Sequence, residues 1–316
     1  MGKVGGERNF GFGKQMAWAG KNALAERYGD GHYGTQAAHA ERWQRFSVYV
    51  CEQGVRDVRQ VTEALVAAYG ESLQQQVAEE AMAVSYAQNL LSSVNVVLEV
   101  MRGDSVLRVS PAALVGERNS VRQDAPTGID RSIVQQAVTE LLGRDEGRVA
   151  AVAELARELG LRFREASMLD ARGAVQQAER QGRVNITEGT KGGRGHVVDR
   201  WVPVLPVATE ALQRAAEWQG SGRNLIPGGS SYAQWRDHAY HAWSVAASSV
   251  GLKGFHDLRA AYACERYEAL TACLAPVVVG VRNTSKEADR AARAIISAEL
   301  GHGRVDVVSA YVGSAC

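Results

Sequence analysis

Glu299-Leu300-Gly301-His302-Gly303, followed nine residues after the histidine by Ala310-Tyr311-Val312-Gly313, is the stretch whose reading decides the fold. Taken alone, Tyr311 is an ordinary aromatic near the end of the sequence and His302 a polar residue in a glycine-bounded turn. Three further groups upstream change that reading. Gly254-Phe255-His256-Asp257-Leu258-Arg259 stands where a helix begins, with His256 and Arg259 on one face. The free backbone N–H groups of a helix start favour an anion there. Gly160-Leu161-Arg162-Phe163-Arg164-Glu165 places Arg162 in the first turn of a helix, with Glu165 three residues on to hold the guanidinium in orientation. Between them, Thr190-Lys191-Gly192-Gly193-Arg194-Gly195 separates two β-rich segments and carries a lysine at the tip of an expected hairpin. It lacks the residue order of a nucleotide-binding P-loop. Each group singly has a plain structural reading: a surface ion pair, a capping histidine, a solvent-facing turn.

Composition sets the bounds. With 46% hydrophobic and 22% charged residues the 316-residue chain has the makings of two folded domains rather than of a disordered protein. The longest apolar run, Leu270 to Val281, is too short to span a bilayer and contains Pro276. The first residues carry no apolar signal segment, so export is not expected. Cys51, Cys264, Cys273 and Cys316 show no C-x-x-C spacing, and reduced buried thiols without a metal are expected. The net charge of +1 does not itself point to nucleic acid. The distribution is uneven, however: Gln60 to Val100 holds no Lys or Arg, whereas Arg102, Arg108, Arg118, Arg122 and Arg131 follow in close order.

Helical periodicity dominates from Lys14 onward. Helices are expected over 38–53 (with Trp43, Phe46, Val48 and Val50 on one stripe), 61–73, 81–101, 133–142, 148–159, 161–170, 209–218, 232–250, 256–269 and 285–300. Pro111, Gly116, Pro126 and Gly128 interrupt the pattern. The expected organisation is a flexible N-terminus (1–13), an all-helical domain (14–103), an interdomain linker (104–130) and a second domain (131–316), mainly α with a small β-hairpin.

In this order, Gly-Leu-Arg-x-x-Glu, a hairpin lysine, His-x-x-Arg, Leu-Gly-His and a tyrosine nine residues later resemble the tyrosine recombinases, or phage-type integrases. Within them, Gly-Thr-Lys-Gly-Gly-Arg and Glu-Leu-Gly-His-Gly-Arg are most similar to integrases of conjugative elements and genomic islands. The resemblance implies a helical core-binding (SAM-like) domain followed by an α+β catalytic domain. It implies Tyr311 as nucleophile toward a DNA phosphate, giving a 3′-phosphotyrosyl link and a free 5′-hydroxyl. Arg162, Arg259 and His302 are then the phosphate clamp, His256 the proton acceptor, Lys191 the general acid and Glu165 an orienting group. Arg108, Arg118, Arg122 and Arg194 are candidate DNA contacts. The link conserves the phosphodiester energy, so no cofactor or metal is implied.

Implied partners are double-stranded DNA recombination sites, a homotetramer exchanging strands through a Holliday junction, and DNA-bending accessory proteins. The implied location is the cytoplasm, with nucleoid association during action and no membrane contact. Two readings stay open beside integration or excision of a mobile element: a catalytically silent DNA-binding accessory protein of the same fold, and a type IB topoisomerase-like enzyme. Arg259 and His302 are 43 residues apart, more than in compact members of the family. The stretch between is expected to be a packed excursion, with partner contact as second choice. The five residues after Tyr311 leave no room for the further docking helix of many relatives, and the glycine-rich start none for an arm-binding domain.

Overall fold

The computed structural model describes Glu7 to Ala315; Cys316 and the first six residues, with the expectations placed on them, lie outside. The chain divides into two units at Asn119–Ser120.

In the first unit the helices are α1 (Met16–Tyr28), α2 (Tyr33–Glu52), α3 (Glu63–Ala78), α4 (Val84–Arg102) and α5 (Pro111–Val115). Helix α4 is its spine, because Leu90, Leu91, Val94, Val97, Leu98 and Met101 recur at helical spacing and are all buried. On α2, Trp43, Phe46 and Val50 turn inward, whereas Val48, expected on the same stripe, is 52% exposed because it falls on the opposite side of the turn. Residues 7–13, expected to be flexible, are ordered. Phe10 and Phe12 enter the core, and the buried Asn9 accepts from the Val58 N–H at 2.8 Å while its own N–H donates to Asp57 at 2.9 Å. A glycine-rich composition hid two aromatic anchors.

The second unit holds α6 (Arg131–Gly143), α7 (Gly147–Glu158), α8 (Phe163–Met168), α9 (Ala171–Gln181), β1 (Arg183–Asn185), β2 (Trp201–Pro203), α10 (Pro206–Gln219), α11 (Tyr232–Ser249), α12 (Phe255–Thr271), α13 (Pro276–Val279), α14 (Lys286–Glu299) and α15 (Ser309–Val312). The strands pair antiparallel with Val184 opposite Val202, which turns both valines into the core. Helix α7, apolar on nearly every side, is buried among α6, α10, α11 and α12. The apolar stripe of helix α9 is made of small residues, Ala171, Ala174, Val175 and Ala178, in an otherwise polar sequence, and was missed. The expected linker is shared out: α5 packs on α3 and α4, while residues 127–129 pack on α12 in the other unit. Among the described cysteines, Cys264 is buried as expected, but Cys51 is exposed and Cys273 only partly covered.

Gly160 joins α7 to the segment that carries Arg162. Its φ of +59° suits glycine, and an added Cβ would lie 2.4 Å from the Tyr262 ring. Its carbonyl accepts from two buried arginines, Arg259 and Arg200. Gly160→Ala is therefore expected to cost about 1–3 kcal/mol through overpacking and strain, read as a lower midpoint in urea unfolding; an unchanged midpoint contradicts this packing.

Candidate active site

Four chain segments converge in the second unit. The first is the entry to α8. Arg162 occupies the cap position with extended backbone (φ −70°, ψ 155°) rather than the first turn as expected. The cause is Glu165, whose carboxylate accepts from the Arg162 backbone N–H at 2.7 Å and from its Nη1 at 2.6 Å. Glu165 is fully buried. It also meets Arg200 Nη1 at 2.8 Å and Arg259 Nη1 at 3.5 Å. Burial alone would push this carboxyl up, but the guanidiniums of Arg200, Arg259 and Arg162 outweigh it and hold it down at about 2.

The second segment is the start of α12, which carries His256 and Arg259. Arg259 is wholly buried. Its Nη1 donates to the Gly160 carbonyl, its Nη2 to the Leu300 carbonyl at 2.6 Å and its Nε to the Tyr311 hydroxyl at 3.3 Å. Burial, with Arg200 and Arg162 adding to it, draws its pKa down to about 10, so it remains a cation near neutrality.

The third is the end of α14. Gly301, at φ +67°, turns the chain sharply enough for the His302 N–H to reach the Ser297 carbonyl at 2.9 Å. An added Cβ there would lie 2.8 Å from the Arg200 side chain. His302 Nε2 stands 3.0 Å from the Tyr311 hydroxyl and 3.2 Å from Arg259 Nη2. Arginine only donates, so this nitrogen accepts and the ring proton belongs on Nδ1. Desolvation, then Arg259, Arg162 and Arg200, lowers the His302 pKa to about 3. The fourth segment, α15, brings Tyr311 itself, 3% exposed, beneath the Arg259 guanidinium at 5.5 Å.

His256 lies on the open side, with its ring centroid 5.3 Å from that of Tyr311. The residue is exposed, yet desolvation by the surrounding protein, then the cations Arg259, Arg162 and Arg122, lower its pKa. Lys191 sits on the loop between the strands, exposed, where the expected hairpin tip is a short helical turn over 191–196. It lines a cleft of about 190 Å³ together with Arg162, Arg194, Arg200, Gly301 and Gly303. The structure thus brings Arg162, Glu165, Arg259, His302 and Tyr311 into one bonded cluster, with His256 and Lys191 at its edges.

Among the candidate DNA contacts, Arg194 reaches the same region and donates to the His302 carbonyl at 3.2 Å. Arg122 is engaged by the buried Asp257 and its side chain is only 16% exposed, so it braces the protein. Arg108 pairs with Glu99 at 3.2 Å, and Arg118 is exposed; both belong to the first unit. Sequence reading missed Arg200, a buried arginine at the edge of β2 whose Nε donates to the Glu299 carbonyl at 2.6 Å. Its number in an arginine-rich stretch gave no sign of burial. Among the described residues no cluster of His, Cys, Asp or Glu is arranged to hold a metal ion, and no helix is long and apolar enough to cross a membrane.

Residues 116–265 match the family model described as Integrase. The fold is that of a lambda integrase(75–356) dimer bound to a COC′ core site, at 17% identity and a TM-score of 0.58 over 93% of this chain and 94% of that one. A second lambda integrase dimer on a COC′ core site matches at 18% identity and a TM-score of 0.57, over 92% and 74% of the two chains. A lambda integrase tetramer bound to a Holliday junction matches at 16% identity and a TM-score of 0.53, over 89% and 72%. No curated protein matches the chain. The chain has the fold of these tyrosine recombinases, and the Integrase match over residues 116–265 agrees with the family-level resemblance drawn from its motifs.

A pKa held low by the fold has a thermodynamic consequence. Between pH 6.5, the ordinary histidine value, and about 3, the unfolded chain binds a proton at His302 that the folded chain does not. Stability therefore falls as pH drops through that window. His302→Gln is expected to flatten the decline of melting temperature between pH 6.5 and 4; an equally steep decline would mean that His302 is not held neutral.

Proposed function

We propose that this protein is a site-specific DNA recombinase that cleaves and rejoins strands through a 3′-phosphotyrosyl intermediate on Tyr311. The observation that carries the reading is the Tyr311 hydroxyl held between Arg259 Nε at 3.3 Å and His302 Nε2 at 3.0 Å, with Glu165 joining Arg259 to Arg162. A phosphodiester entering from the open side would meet guanidiniums already fixed by Glu165. Preorganised donors of this kind act on charge that builds on the non-bridging oxygens in the transition state.

In the cleavage step the bond from Tyr311 oxygen to phosphorus forms and the bond from phosphorus to the 5′-oxygen breaks. The tyrosine proton passes to a neutral histidine. His302 is the one within hydrogen-bond reach, and His256, the acceptor implied by motif order, flanks the ring. The incoming phosphate supplies negative charge that offsets the arginines, which raises both histidines toward their ordinary range and makes them better bases. Lys191 protonates the departing 5′-oxygen. Rejoining runs the same steps backward from a partner strand, and the covalent link supplies its energy.

The subtype reading, integration or excision of a mobile element such as a conjugative element or genomic island, rests on the Gly-Thr-Lys-Gly-Gly-Arg and Glu-Leu-Gly-His-Gly-Arg motifs. A homotetramer on paired duplex sites, assisted by DNA-bending proteins, belongs to the same proposal. A similar fold in a tetramer bound to a Holliday junction supports it. Action in the cytoplasm at the nucleoid is part of the same proposal.

Nicked suicide duplexes made from the DNA flanking the gene test the chemistry. A denaturation-resistant protein–DNA band is expected, abolished by Tyr311→Phe and slowed on the order of 10²-fold or more by Arg259→Ala and by His302→Ala. Binding without any band marks a silent DNA-binding protein, and relaxation of plasmids lacking a target site marks a topoisomerase.

A further inference from the structure

The 42 residues between Arg259 and His302 hold further arginines that the chemistry above does not use. Helix α13 packs on α15, and α14 packs on α12. On α14, Arg293 is 2% exposed and sits one turn after Asp289. Its Nε contacts both Asp289 oxygens at 2.9 Å, and Asp289 Oδ1 also accepts from the Tyr267 hydroxyl at 2.7 Å. The guanidinium is thereby fixed in rotation before it meets anything else.

Its remaining donors all go to the segment that carries Tyr311. Nη1 donates to the Ser309 hydroxyl at 3.2 Å and to the Gly313 carbonyl at 3.1 Å, and Nη2 donates to the Ser314 carbonyl at 2.9 Å. One buried side chain thus holds the Ser309 hydroxyl two residues before the tyrosine and the backbone two and three residues after it. Arg282 continues the hold with its Nε on the Ala315 carbonyl at 3.1 Å. Helix α15 has only four residues, too few to keep its place by its own hydrogen bonds. Its position is set from outside.

We propose that Arg293, aligned by Asp289, is a positioning residue that fixes both flanks of Tyr311 and so sets where the hydroxyl stands against Arg259 and His302. The proposal rests on the reading of Tyr311 as nucleophile. It gives the long stretch between Arg259 and His302 a purpose: α14 carries the clamp and α13 backs the clamped segment. A reacting oxygen displaced by about 1 Å can cost on the order of 10²-fold in rate, so a device of this kind acts on turnover rather than on DNA affinity.

The test uses the full chain and nicked suicide duplexes from the DNA flanking the gene, with the covalent-complex rate measured against DNA concentration. Arg293→Ala leaves Asp289 buried without its partner and risks misfolding. The informative variant combines Tyr267→Phe, Asp289→Leu and Arg293→Met, because replacing a buried ion pair with apolar groups of similar volume is often neutral for stability. Arg214→Ala, which breaks a pair with Glu154 on α7 away from the site, is the stability control. The expected result is a saturating cleavage rate at least about tenfold lower in the triple variant, with half-saturating DNA concentration unchanged, and a wild-type rate in Arg214→Ala. A triple variant that cleaves within about twofold of wild type overturns the clamp, as does a slowing matched by Arg214→Ala at equal loss of melting temperature. If the wild type forms no Tyr311-dependent adduct, it is the proposed nucleophile that fails instead.

Discussion

One buried carboxylate makes the site possible. Glu165 lies among Arg162, Arg200 and Arg259, and without it three guanidiniums, two of them buried, would repel one another. Removing one partner from a buried ionic cluster costs about 3–5 kcal/mol, because the charges left behind lose their compensation. The rest of the arrangement follows from that anion. It draws Arg162 into the cap of α8 and helps hold Arg259 where its Nε meets the tyrosine. It also anchors Arg200, on which the Gly301 turn packs closely.

The balance is deliberately incomplete: three cations surround one carboxylate, and the excess falls on the histidines. The pKa values of His302 and His256 are both lowered by burial and by Arg259 and Arg162, with Arg200 adding at His302 and Arg122 at His256. A site in this condition is poised for an anion. Binding one would relieve the repulsion and return basicity to the imidazoles, so recognition and activation draw on the same charge.

Much of this was legible in the residues, for physical reasons. Arg162, His256, Arg259 and His302 sit at helix starts and ends, where glycines and caps leave marks in sequence, and the valines of the small sheet announce themselves by alternation. What escaped had no local mark. Arg200 is defined by burial against residues far along the chain, and nothing beside it distinguishes it from Arg183 or Arg194. Helix α9 carries its stripe on three alanines and one valine, a faint mark in a polar sequence. Residues 7–13 look like a loose lead-in until Asn9 is seen bridging to Asp57 and Val58. Arg122, read as a DNA contact from its place in an arginine run, has its charge taken up by Asp257.

Arg122 has a second attachment. Its backbone N–H donates to the Ser309 carbonyl at 3.0 Å, two residues ahead of Tyr311 and only a few residues inside the unit that begins at Ser120. The point where the chain enters the second unit is thus stitched directly to the short helix bearing the tyrosine. Mechanically, the two form one seam. Tension on the chain at Arg122 bears on Ser309 through this hydrogen bond and on Asp257, one residue after His256, through the side chain.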